Sequence, residues 1–139
     1  MKPSRLVRLA LHESGHATIA RVQGINAIAG IERDTTGRLH GWCCPERGDA
    51  FQNLVVALAG AAAVRAILGV RERPSAMDMK QAEKYANAAA AESGGCPDEW
   101  IAVAKAEATR LVQRHRKQII RTATALVQEY KQQQRRAAA

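Results

Sequence analysis

Aromatic side chains are scarce in this chain: two Trp, two Tyr and one Phe make up 4% of its 139 residues. Alanine instead supplies much of the 47% hydrophobic content. Small residues of high helix propensity point to closely packed helices rather than a sandwich. Cysteine is sparse as well, with three in total. Cys43 and Cys44 are adjacent and Cys96 is distant, so there is no paired framework and no Cys-x-x-Cys motif. By the reading of its apolar runs, no stretch approaches the roughly 18 residues that a membrane span requires. Lys2, Arg5 and Arg8 precede an apolar segment without a convincing cleavage site, which argues against a signal peptide. A single domain over residues 1–139 is expected, in a cytoplasmic, reducing setting and long enough to bury one core.

Charge of one sign is also in short supply. The chain has 13 acidic residues against 21 Lys and Arg, a formal net charge of +8. The imbalance is greatest from Lys105 onward, where Arg110, Arg114, Arg116, Lys117, Arg121, Lys131, Arg135 and Arg136 face only Glu107 and Glu129. Such a helix could meet nucleic acid or an acidic partner. Tyr130 is the single aromatic in that region, so stacking on bases has no support and nucleic-acid binding is not expected as a main role.

What the chain does contain is His12-Glu13-Ser14-Gly15-His16, a His-Glu-x-x-His sequence inside an apolar, alanine-rich run. On a helix, residues four apart lie one turn above each other on one face. Two imidazoles so placed can grip one zinc ion, and the glutamate between them reaches the water that the metal activates. Gly24 sits where that helix should stop, and no proline interrupts it.

A coarse reading of the rest gives a mostly α (α+β) fold: about four helices and a small β-hairpin at the active-site edge. The first helix is predicted from about Ser4 to Gln23, capped by Ser4. Asp34-Thr35-Thr36-Gly37 is a turn-rich tetrad between Ile28–Ile31 and Arg38–Cys43, a hairpin signal that Pro45 ends. Asp49 can cap a helix over Ala50–Leu68 that Gly69 closes. Gly60, followed by three alanines, suggests close approach to another helix. Ser75 opens a further helix to about Glu92, and Pro97 starts one long final helix. Its apolar stripe runs through Ala104, Ala108, His115, Ile119, Leu126 and Tyr130. The tail over 132–139 is expected to fray.

A catalytic zinc needs a third protein ligand and an open position. His40 lies in the hairpin, and His115 lies on the final stripe, where a core role is the commoner one. Asp78 is the better candidate, although Ser75-x-x-Asp78 also reads as a helix cap. His40 and Cys43 are three apart and, on a strand, would point to opposite faces, which disfavours a ligand pair.

The segment Leu11-His12-Glu13-Ser14-Gly15-His16-Ala17 resembles the zinc signature of the FtsH-type peptidases, the proteolytic domain of membrane-bound AAA+ proteases. Leu58-Ala59-Gly60-Ala61-Ala62-Ala63 is similar to that family's Ala-Gly-rich helix. Ser75-Ala76-Met77-Asp78 matches the context of its third, aspartate ligand with one residue fewer. Ile28–Glu46, ending in Pro45-Glu46, is similar to its edge strand, and Ala106–Ile120 to its C-terminal helix. The resemblance spans nearly the whole chain in order. It implies zinc held by His12, His16 and Asp78, with Glu13 as general base and proton donor. It also implies a substrate strand pairing with Leu39, His40, Gly41, Trp42 and Cys43, and a ring-forming homo-oligomer.

The chain departs from the family in lacking a Gly-x-x-x-x-Gly-Lys-Ser/Thr loop, an ATPase module and a membrane segment. The segment between the zinc helix and Asp78 is also short. A peptidase of this kind would take peptides or already unfolded protein, or associate with an unfoldase. Two other readings compete: a non-catalytic regulatory module of the same fold, and a cytosolic repressor-cleaving peptidase of the ImmA/IrrE type. In the last, Glu83 or Glu92 would replace Asp78 as ligand.

Overall fold

The computed structural model describes residues 2–139. In chain order it contains α1 (Arg5–Val22), β1 (Ala27–Arg33), β2 (Leu39–Pro45), α2 (Ala50–Leu68), α3 (Ala76–Ser93), α4 (Pro97–Arg114) and α5 (Arg116–Ala138). The mostly helical fold with one hairpin is the expected one. The helix boundaries follow local chemistry. The Ser4 side chain accepts from the Val7 N–H at 3.2 Å and starts α1. Asp49 and Gln52 cap α2 reciprocally, at 2.8 and 3.1 Å. Gly69 closes that helix at φ 66°, a left-handed conformation that costs glycine least.

Strands β1 and β2 form a two-stranded antiparallel sheet in which Gly30 faces Trp42 and Ile31 faces Gly41. The turn is fixed by Asp34, whose carboxylate accepts from the backbone N–H of Thr36 and of Arg38 at 2.9 and 3.0 Å. Those donors hold the Asp34 carboxyl below its usual range, with the Thr36 hydroxyl contributing most.

The centre of the domain is the pair α1 and α2, buried over Glu13–Ala20 and Asn53–Val64. They approach closely because small residues meet: a Cβ added at Gly15 would stand 2.7 Å from the Ala63 Cβ and 2.8 Å from the Ala59 carbonyl oxygen. Helices α3 and α4 cover α2, while α5 lies against α1 and β1.

Two expectations need correction. First, α2 is long and apolar enough to cross a membrane by length and composition, with a mean hydropathy of 1.7. Its apolar character is spread over many small residues, with alanines throughout and Gly60 in the middle. In the fold 61% of that segment is buried by the chain's own elements, as a central core helix must be. Second, the long final helix is two helices that break at His115, giving five among the described residues. Unbroken from Pro97 to Ala138, it would run roughly 63 Å, well beyond a domain of this size. The break turns the chain so that Ala104, Ala108 and Val112 bury against α2 and α3, and Ile119, Ala123, Leu126 and Tyr130 against α1 and β1. His115 is half-buried at that corner. The backbone of α5 stays helical to Ala138, with every side chain from Lys131 onward exposed.

Candidate metal centre

His12 and His16 lie one turn apart on α1, and Asp78 lies in the first turn of α3. The fold brings all three together. Asp78 Oδ2 is 2.8 Å from His12 Nε2 and 3.2 Å from His16 Nε2, and the two Nε2 atoms are 3.1 Å apart. Among the described residues these form the one group of three or more His, Cys, Asp or Glu side chains able to hold a metal ion. Asp78 is not spent on the helix cap. The Ser75 hydroxyl accepts from the Asp78 N–H at 3.1 Å, which leaves the carboxylate free to face the imidazoles. Sequence spacing could not separate those roles because both use the same two residues.

The tautomer of His16 is set by α2. Its Nδ1 donates to the Val56 carbonyl oxygen at 2.6 Å, so a neutral ring carries its lone pair on Nε2. That lone pair points at a carboxylate oxygen and at a second imidazole nitrogen. Acceptors at such distances repel unless a proton or a metal cation lies between them. The donor set therefore fits a cation. Gly60 supplies the room: a Cβ there would run into His16 Nε2 and stand 2.8 Å from His12 Nε2. Close approach to another helix was expected from the small-residue run; that the helix is α1, and that the glycine admits two imidazoles, was not.

Burial raises the Glu13 carboxyl above its usual range, assisted by the charge of Asp78 and opposed by His16, His12 and His40. At His16 burial works against the charged ring, but the hydrogen bond and charge of Asp78 outweigh it, and the imidazole is raised. Burial opposes the Asp78 carboxylate too, yet hydrogen bonds from His12 and His16 hold it well below the carboxylate range. The consequence for the metal-free protein has a definite sign. Groups raised on folding lose their stabilisation as pH rises, from about 4.5 for Glu13 and about 6.5 for His16. Chelator-treated protein is therefore expected to melt at a lower temperature at about pH 8.5 than at about pH 5.5, and added metal should remove that decline. A chelated Tm that climbs over this interval would contradict the assignment.

The triad opens into a cavity of about 1180 Å³. Leu39, His40, Gly41, Trp42 and Cys43, the predicted substrate strand, all contribute to its wall. Gly41 abuts Glu13: a Cβ there would lie 2.8 Å from Glu13 Cγ. Glu83 and Glu92 are exposed and stand outside the triad. Cys43 is half-buried, Cys44 and Cys96 are exposed, and all three are free thiols. Burial, with the Glu13 charge, pushes the Cys43 thiol up to about 12. Alkylation of the folded protein at about pH 8, followed by mass spectrometry, should thus modify Cys43 last. No family model matches the chain, and no curated protein matches it either.

Sequence reading missed several wall residues. Gln81 and Tyr85 follow Asp78 by three and seven positions, so helical spacing could have placed them on its face. Arg8 donates to Glu72 at 3.2 Å, joining α1 to the α2–α3 connector. Nothing local in the sequence announces that contact across 64 positions.

Proposed function

We propose that this chain is a zinc-dependent metalloendopeptidase that cleaves peptides or unfolded protein segments. The observation that carries the reading is the convergence of His12, His16 and Asp78 next to Glu13, a buried glutamate. Tetrahedral zinc with bonds of about 2.0–2.1 Å needs donors roughly 3.4 Å apart. The three donor atoms stand at 2.8, 3.1 and 3.2 Å, within a small adjustment of that spacing. When bound, zinc supplies Lewis acidity and lowers the pKa of a nearby water toward about 7. Glu13 would take a proton from water as the water oxygen bonds to the peptide carbonyl carbon, and would pass that proton to the amine nitrogen as the C–N bond breaks. Burial, which raises the Glu13 carboxyl above its usual range, favours this double use.

Strand β2 supports the substrate side. Ladder bonds of Arg38 and Glu46 with Asp34 and Asn26 fix the parity of the sheet, so His40, Trp42 and Cys44 direct their backbone groups at β1. Leu39, Gly41 and Cys43 direct theirs away. The Leu39 carbonyl already accepts from Arg5 Nη2 at 3.2 Å. Gly41 and Cys43 remain to pair with an extended peptide, which β-augmentation would lay beside Glu13. Backbone pairing of this type is tolerant of side chains.

The resemblance of the His12–His16 segment to FtsH-type peptidases belongs to this proposal, as do a ring-shaped homo-oligomer and an unfoldase partner. Three free thiols are compatible with a reducing, cytoplasmic setting. The deciding measurement is zinc per chain by elemental mass spectrometry, on the native protein beside Asp78→Ala. About one zinc per native chain, lost in the variant, is the expected result. Zinc retained by Asp78→Ala would move the third ligand elsewhere, as the ImmA/IrrE-type reading requires. A native chain that takes up no zinc would leave a non-catalytic module.

A further inference from the structure

The wall of the metal cavity carries four arginines, Arg5, Arg8, Arg47 and Arg73, against four carboxylates, Glu13, Glu46, Glu72 and Asp78. Three of the carboxylates are committed, while Glu46 is exposed and, among the described residues, accepts only from Asn26 at 3.4 Å. Asp78 faces the two histidines, Glu13 lies buried beside them, and Glu72 accepts from Arg8 at 3.2 and 3.3 Å. Apart from Arg8, the arginines are not. Among the described residues, Arg5, Arg47 and Arg73 have no carboxylate within ion-pairing distance. All three are exposed at the mouth.

Their placement along β2 matters. Arg5 is bonded to the Leu39 carbonyl, and Arg73 adjoins Glu72, which is tied to Arg8 on the next turn of α1. Arg47 lies two residues beyond Pro45, at the opposite end of the strand. Leu39 and Pro45 are roughly 20 Å apart at the rise of an extended chain. A peptide laid along β2 thus passes Glu13 near Gly41 and meets unpaired guanidinium groups at both ends. We infer that the cleft selects acidic peptide segments, with Asp or Glu side chains on either side of the bond held beside Glu13. Arg5, Arg47 and Arg73 determine that specificity. Their planar donor forks suit carboxylates, and a charge-lined cleft raises the local concentration of oppositely charged ligand. This inference rests on the peptidase reading for the path of the peptide, and its test is a binding measurement independent of turnover.

The experiment uses zinc-loaded Glu13→Gln protein and fluorescence anisotropy. The probes are a labelled peptide of about ten residues alternating Glu with Ala and Val, and counterparts with Gln or Lys in place of Glu. The Glu peptide is expected to bind about tenfold more tightly than the Gln peptide, and the Lys peptide most weakly. Raising salt to about 0.5 M should shrink the gap to below about twofold. The double variant Arg47→Gln, Arg73→Gln should lose most of the gap while keeping its melting temperature. Arg121→Gln with Arg136→Gln removes two exposed charges from α5, outside the cleft, and should keep the gap. Equal affinity for the three peptides, no binding by any of them, or equal loss in both double variants would overturn the inference. Cleavage by the native protein is scored separately. Tight acidic-peptide binding without any cleavage would sink the peptidase reading and leave charge selection standing.

Discussion

Glu13→Gln should lower kcat/KM for any peptide the native protein cleaves by about a thousandfold or more, with zinc content unchanged. General acid–base groups contribute on the order of 10²–10⁴ in rate, and here one carboxyl would serve in both proton transfers. Glutamine keeps the size of the side chain, which matters at a residue only 7% exposed. It preserves the contact with Gly41, and it leaves His12, His16 and Asp78 in place. What it removes is the ability to accept a proton. Single-turnover cleavage of a fluorogenic peptide and elemental analysis of the same sample read the two quantities together. A rate within tenfold of the native value, with zinc present, would exclude Glu13 as the base.

Gly60→Ala is the second large effect, and it is expected to weaken metal binding without replacing any of the three candidate ligands. A methyl group at this position collides with His16 Nε2 and crowds His12 Nε2. Neither neighbour can yield freely: His16 is held by the Val56 carbonyl at 2.6 Å and is only 6% exposed. Zinc affinity is expected to fall by at least about a hundredfold, measured by competition against a chelating dye. Alanine is the better helix former by about 1 kcal/mol, but overpacking a tight interior costs about 1–3 kcal/mol. The metal-free variant should therefore melt at or slightly below the native metal-free protein, still helical by circular dichroism. Native-like zinc affinity in Gly60→Ala would mean that the imidazoles do not meet over this glycine.

How much of the centre was legible in the sequence depends on the range of the contacts involved. The two histidines and the glutamate share one helical turn and a half, so spacing alone put them together. Asp78 lies 66 positions from His12, and spacing offered two roles for it, a cap and a ligand. The hairpin was legible because its turn chemistry is local: Asp34 and Gly37 sit three positions apart, and the Gly37 N–H donates to the Asp34 carbonyl at 2.9 Å. The break at His115 was not. The apolar stripe keeps its period through that point, and only the competing demands of α2 with α3 on one side, and α1 with β1 on the other, bend the chain there. The length of the apolar run in α2 was likewise not read, although its close packing on another helix was expected from Gly60 and the alanines.

By itself the sequence determined the elements that depend on neighbours a few positions apart: the caps at Ser4, Asp49 and Ser75, the Asp34 turn, and the two imidazoles stacked on α1. Hydrogen bonds of this kind close within a turn and need no partner from afar. Tertiary structure alone decided that Val56 fixes the His16 tautomer, that Gly60 makes space for both rings, and that the Asp78 carboxylate turns inward while the Ser75 hydroxyl caps its helix. It also set three unpaired arginines around the cleft. Those outcomes depend on α1, α2 and α3 packing through small residues at close range, a long-range property that no local spacing encodes.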